Sequence, residues 1–157
     1  MSNNISAFIE VAKLSRNKYE WNEEEQCLEL DRVLQSAVFY PQNYGFIPKT
    51  LCGDGDPLDV LVISNEPLIP GCKVFIEPLC YLEMTDEKGK DEKVLAKIKD
   101  DPHFEHIKNM EQIPENLLLE ISHFFGTYKL LEKNKWSKIG NWFDTQNTLK
   151  FIESCKL

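Results

Sequence analysis

The sequence predicts an α+β fold, rich in β, with a small barrel or rolled sheet packed by helices. Two observations predict it. The first two-thirds of the chain holds short apolar or alternating runs separated by Pro, Gly and Asp/Asn turn signals. The last third carries apolar residues at helical spacing. Strand-like runs followed by helical ones suit a sheet covered by helices better than alternating βαβ units. No repeat, low-complexity tract or Pro/Gly/Ser linker divides the 157 residues, so one domain spanning 1–157 is expected.

In chain order, the strand candidates are Ala7–Val11, Cys27–Leu30 with its flanks, Ala37–Tyr40, Val60–Ile63, Lys73–Leu82 and Lys93–Ile98. Pro78 lies inside the fifth of these and predicts a bulge or an edge there. Pro114 then opens a helix with Glu115 beside it, and both suit a first turn. Leu117, Leu118, Ile121, Phe124, Phe125, Tyr128 and Leu131 continue it, and Lys133-Asn134-Lys135 suits its end. Gly126 weakens its interior. A second helix is expected over about 145–155, after Trp142.

Composition narrows the function. A formal charge of −8 and a pI near 4.9 oppose general nucleic-acid binding. Five cysteines without C-x-x-C spacing fit free thiols in a reducing compartment. No apolar run reaches membrane-span length, and no signal-peptide pattern opens the chain, so a cytoplasmic protein without a membrane partner is expected.

Asp54-Gly55-Asp56-Pro57-Leu58-Asp59 places three carboxylates in six residues, just before Val60-Leu61-Val62-Ile63. Such acids repel one another unless a hard cation relieves them. An acidic surface turn explains the run equally well, since Asp-Gly and Asp-Pro are turn formers. The spacing is not that of an EF-hand: its glycine position falls on Asp59 and its terminal Glu position on Asn65. Asp86 and Asp91 bracket a Lys88-Gly89 hairpin turn and can face each other across its stem, although a solvated charged hairpin is the better account of this pair taken alone. Lys18-Tyr19-Glu20, Asp31-Arg32, Tyr40 to Gly45, Lys93 and Tyr128-Lys129 add cations and phenols. Beside the acids, these describe a site for a polyanion bridged by metals. His103-x-x-His106 lacks the glutamate and spacing of a zinc protease helix, and no nucleotide-binding loop or serine-hydrolase elbow occurs.

These residues, in this order, resemble the soluble family I inorganic pyrophosphatases over roughly Phe8 to Trp142. The pieces are Ser15-Arg16-Asn17-Lys18-Tyr19-Glu20, Asp31-Arg32, Tyr40 through Pro48, Asp54 through Val62, Met84-Thr85-Asp86-Glu87 with Asp91 and Lys93, and His123-Phe124-Phe125 with Tyr128-Lys129. The resemblance implies a five-stranded OB-like barrel flanked by helices. It implies Mg²⁺-dependent hydrolysis of pyrophosphate to two orthophosphates by a metal-activated water, without a covalent intermediate. Carried over, Asp54, Asp59, Asp86, Asp91 and Glu20 are metal ligands, Glu10 is an outer polar member, and Asp56 orients or deprotonates the water. Lys18, Arg32, Tyr44, Lys93, Tyr128 and Lys129 are the phosphate contacts. Several Mg²⁺ ions per site and a homo-oligomer, a hexamer favoured, are implied with them. The chain departs from the family where Ile-Pro-Lys-Gly is common, reading Val11-Ala12-Lys13-Leu14 instead.

Overall fold

Five strands close on themselves: β1 (Ile5–Val11), β4 (Asn43–Ile47), β5 (Leu58–Ile63), β8 (Lys93–Ile98) and β6 (Lys73–Asp86), with β6 returning to pair β1. The computed structural model describes residues 4–157. All neighbouring pairs in this ring are antiparallel except β5–β8, which is parallel. The ring is the predicted five-stranded barrel. A separate hairpin, β2 (Asn17–Asn22) with β3 (Cys27–Val33), forms its own sheet. The short β7 (Gly89–Lys90) and β9 (Ser137–Phe143) extend β6. Helices α1 (Glu115–Thr127) and α2 (Thr145–Cys155) follow late in the chain.

Strand residues alternate between two apolar clusters because side chains switch faces at every step. Leu58, Val60 and Val62 of β5 join Val94 and Ala96 of β8 in a cluster completed by Ile152 and Cys155 of α2. Leu61, Ile63 and Leu95 face the other way, onto Ile121, Phe124 and Phe125 of α1. Each fully buried Leu or Ile contributes about 1.5–3 kcal/mol relative to exposure. Asp59 and Lys93 share the α1-side face with Leu61 and Leu95, which brings polar groups to the edge of that cluster.

Several sequence expectations need correction. Ala37–Tyr40 is irregular backbone, not a strand. Tyr40 bonds instead to the loop after β1, accepting from the Leu14 amide (2.7 Å) and donating to the Ser15 carbonyl (3.0 Å). The neighbouring strand is β4, hidden because Asn43 and Gly45 read as turn residues. Asn43 is buried and its side chain donates to the Val62 carbonyl and the Ser64 hydroxyl at 2.8 and 2.7 Å. A Cβ on Gly45 would lie 1.8 Å from the Phe8 carbonyl oxygen, so only glycine lets β4 reach β1.

Helix α1 ends at Thr127, short of the predicted Lys133. The Thr127 hydroxyl donates back to the His123 carbonyl (2.8 Å), and Leu130 and Leu131 lie exposed beyond it. Tyr128 and Lys129 therefore sit on the turn after the helix. The β6–β7 hairpin turns at Glu87-Lys88, one residue earlier than predicted. Asp86 pairs with Gly89, while the Asp91 amide bonds to the Met84 carbonyl (2.9 Å), so the two acids are not directly opposed. The bulge expected at Pro78 is present, as a register shift between Pro78 and Cys80. Leu14, at the glycine position of the family pattern, adopts a left-handed φ of 72°. That conformation costs an L-residue about 1–2 kcal/mol.

Candidate active site

The parallel register of β5 and β8 sets Asp59 beside Lys93 on one face. The Lys93 ammonium is buried and uses its three protons on three acceptors: Asp59 Oδ2 at 2.6 Å, Tyr44 Oη at 2.8 Å and Asp91 Oδ1 at 3.0 Å. It also lies 5.2 and 5.1 Å from the centroids of the Tyr44 and Phe125 rings. Burial opposes its charge, but Asp59, Tyr44 and Asp91 outweigh that and hold its pKa well above the usual lysine value. Burial likewise pushes the Tyr44 phenol well above its ordinary range.

Around this centre opens a cleft of about 790 Å³. Every predicted site residue lines it: Lys18, Glu20, Arg32, Tyr44, Asp54, Asp56, Asp59, Asp86, Asp91, Lys93, Tyr128 and Lys129. A hollow of similar size, about 830 Å³, lies between β6, the 97–108 segment and α2. None of the predicted residues reaches it. Its buried Lys97 is already engaged by the Phe104 carbonyl at 3.2 Å and Glu77 at 3.6 Å. The predicted site residues gather in the first cleft alone.

The acidic loop is a tight turn. Cys52 N–H donates to the Asp56 carbonyl (2.8 Å), Gly55 N–H to the Cys52 carbonyl (3.0 Å), and Asp56 N–H to Asp54 Oδ1 (3.0 Å). Gly55 turns at φ 88°, which favours glycine. The turn leaves the Asp56 carboxylate exposed at the cleft. On the hairpin, Lys18 pairs with Glu20 (2.7 Å) and Asp31 (3.2 Å), while cross-strand register sets it opposite Arg32. Lys129 lies 3.4 Å from Asp86 and 3.5 Å from Glu87.

The donor set fits hard divalent cations: all oxygen, with carboxylates from β5, its leading turn and the β6–β8 connection facing one space. Burial pushes the Asp54 carboxyl up to about 6, even against the Asp56 amide it accepts, and the charges of Asp91, Asp56 and Asp59 add to the rise. Burial is the larger cause, and the neighbouring carboxylates add to it. Among the described residues no three such side chains form a ready cage for an ion. Two pairs of acids hold an ammonium between them instead: Asp59 and Asp91 the one of Lys93, Glu20 and Asp31 the one of Lys18.

A family model described as inorganic pyrophosphatase matches residues 7–157. The chain belongs to the inorganic pyrophosphatase family. It is 46% identical over 148 residues to an inorganic pyrophosphatase of Methanosarcina mazei, covering 94% of this chain and 87% of that one. Against the Thermus thermophilus enzyme the figures are 47% over 153 residues, 96% and 87%. The crystal structure of the T. thermophilus pyrophosphatase superimposes with a TM-score of 0.94 at 44% identity, over 98% of this chain and 90% of that one. That of Helicobacter pylori gives 0.94 at 39%, over 98% and 92%.

The cleft also holds acids outside the expected ligand set. Glu87 lines it and bridges Lys129 to the Trp136 amide (3.2 Å); its signal was adjacency to Asp86. Glu10, foreseen as an outer member, is buried on β1 and accepts from the Trp21 amide at 2.9 Å, mooring the hairpin. Burial raises its pKa to about 7, the Trp21 bond opposing and the Asp59 charge adding to the rise. The folded state thus keeps a proton that the unfolded chain, near 4.5, has lost. In chelator, stability is expected to fall as pH rises from about 4.5 through about 7, by on the order of 3 kcal/mol. Urea unfolding at pH 5 and pH 8 tests it: Glu10→Gln loses that slope, and a slope shared by the variant assigns it to other groups.

Proposed function

We propose that this chain hydrolyses inorganic pyrophosphate to two orthophosphates, with several Mg²⁺ ions and by direct attack of water. The observation that carries the reading is one cleft in which crowded carboxylates interleave with Lys, Arg and Tyr donors. Nine acids and seven bases line it. Such a lining repels a bare polyanion and accepts one that arrives with dications.

Asp54, Asp59, Asp86, Asp91 and Glu20 would hold the metal. Bound there, Mg²⁺ would supply Lewis-acid neutralisation of the substrate's charge and acidify a nearby water. Asp56, exposed at the tip of its turn, orients that water and takes its proton on a carboxylate oxygen. Arg32, Tyr44, Tyr128 and Lys129 face one phosphoryl group, and Lys18 the other, leaving group. Lys93, with its protons committed, first holds Asp59, Asp91 and Tyr44 in register and contacts phosphate only by exchanging one of them. No side chain needs to become a covalent nucleophile, since phosphoryl transfer is governed mainly by positioning and electrostatics.

The test is phosphate release from pyrophosphate with Mg²⁺, with Ca²⁺ and with excess chelator. Turnover is expected with Mg²⁺, little with Ca²⁺, whose looser coordination misplaces the water, and none in chelator. Full turnover in chelator refutes the mechanism. ATP and long polyphosphate, run alongside, are expected to be poorer substrates. A single domain over 1–157, a cytoplasmic location and a homo-oligomer, a hexamer favoured, complete the proposal. Among the described residues no helix is long and apolar enough to cross a membrane. Exposed Leu30, Val33, Leu130 and Leu131 offer apolar surface for assembly.

A further inference from the structure

Among the described residues no strand ladder joins the β2–β3 hairpin to the barrel, yet it carries Lys18 and Arg32 to the cleft. Backbone bonds hold its base, between Leu34 and Arg16 and between Tyr40 and Ser15, and side chains moor the rest. One mooring is the Glu10 contact to the Trp21 amide. Another is an ion pair between Arg32 Nη1 and Glu132 Oε1 at 3.3 Å. Glu132 lies on the turn after α1, where its amide bonds to the Lys129 carbonyl (3.1 Å). It does not line the cleft, whereas Arg32 does.

The pair is incompletely made. Arg32 Nε and Glu132 Oε2 are both buried, and neither has a hydrogen-bond partner. Among the described residues, only one other buried side-chain oxygen or nitrogen, Tyr40 Oη, shares that condition. Arginine and carboxylate normally close a two-pronged fork and satisfy these atoms mutually. Here the carboxylate grips one end of the guanidinium by charge and leaves the fork unfilled. Buried polar atoms without partners are rare enough to need a reason.

We propose that Glu132 is the positioning residue for Arg32, holding the guanidinium at the cleft edge so that its terminal amino groups, not the buried Nε, meet the oxygens of a phosphoryl group. The inference rests on the pyrophosphatase reading above. Glu132 also ties the hairpin cations to the turn that carries Tyr128 and Lys129, so the phosphate contacts from two elements stay in register.

The experiment is a double-mutant cycle on Mg²⁺-pyrophosphate hydrolysis with wild type, Glu132→Ala, Arg32→Ala and the double variant. Glu132→Ala is expected to raise KM about tenfold and to change kcat far less. In the Arg32→Ala background the same change is expected to add no more than about twofold, because the residue it acts through is gone. Glu132→Gln keeps an acceptor but not the charge and is expected to fall between wild type and Glu132→Ala. It also replaces Glu132→Ala in the cycle if that variant does not fold. An unchanged KM, or an equal loss in both backgrounds, overturns the role of Glu132 while an active wild type leaves the pyrophosphatase reading standing. A wild type that releases no phosphate overturns both.

Discussion

Asp56→Asn is expected to lower turnover on pyrophosphate at least about tenfold, toward the lower side of what a positioned acid or base contributes, with thermal stability unchanged. The structure separates the two effects. The turn is held by the Asp56 backbone, whose amide donates to Asp54 Oδ1 at 3.0 Å and whose carbonyl accepts from Cys52 at 2.8 Å. Its side chain is exposed and makes none of these bonds. An amide of the same shape therefore keeps the loop but cannot take a proton from water. Phosphate-release kinetics together with a melting curve check it. A variant that melts like wild type and turns over as fast removes Asp56 from the chemistry.

Much of this site is legible in the sequence because its acids lie close together along the chain. Asp54, Asp56 and Asp59 share one turn and one strand start, so local spacing alone brings them together. What joins them to Lys93 is the parallel pairing of β5 with β8, a register that no short window of sequence reports. The family resemblance makes Lys93 a phosphate contact, and the fold adds that its protons are engaged by Asp59, Asp91 and Tyr44.

Elements fared by how local their signals are. The bounds of α2 agree because Asp144 caps it, its Oδ1 accepting from the Asn147 amide at 3.0 Å. Strand β4 is not legible because Gly45, there for its close approach to β1, reads as a breaker. Glu132 gave no signal at all. It precedes Lys133-Asn134-Lys135, a run that reads as a solvated helix end, and its partner Arg32 lies a hundred residues earlier.

The largest stability effect is expected at Lys93. Lys93→Met keeps an apolar stem as long as the lysine's out to Cε and removes the ammonium, together with its contacts to the Tyr44 and Phe125 rings. Asp59 and Asp91 then face each other without their shared counter-charge, and Tyr44 Oη loses its donor. Breaking a buried pair by deleting one partner costs about 3–5 kcal/mol, because the remaining charge stays out of water. Urea unfolding in chelator is expected to show a loss of that order. The metal hypothesis adds a second expectation. If these carboxylates are ligands, Mg²⁺ can replace part of the missing charge, so it should recover more stability in Lys93→Met than it adds to wild type. Asp59→Asn placed in the Lys93→Met background should be less harmful than in wild type, since it removes a charge already left unpaired. Equal stability of Lys93→Met and wild type in chelator would mean that the ammonium is not what holds the acids together. Equal gains from Mg²⁺ in both proteins would place the ion away from Asp59 and Asp91.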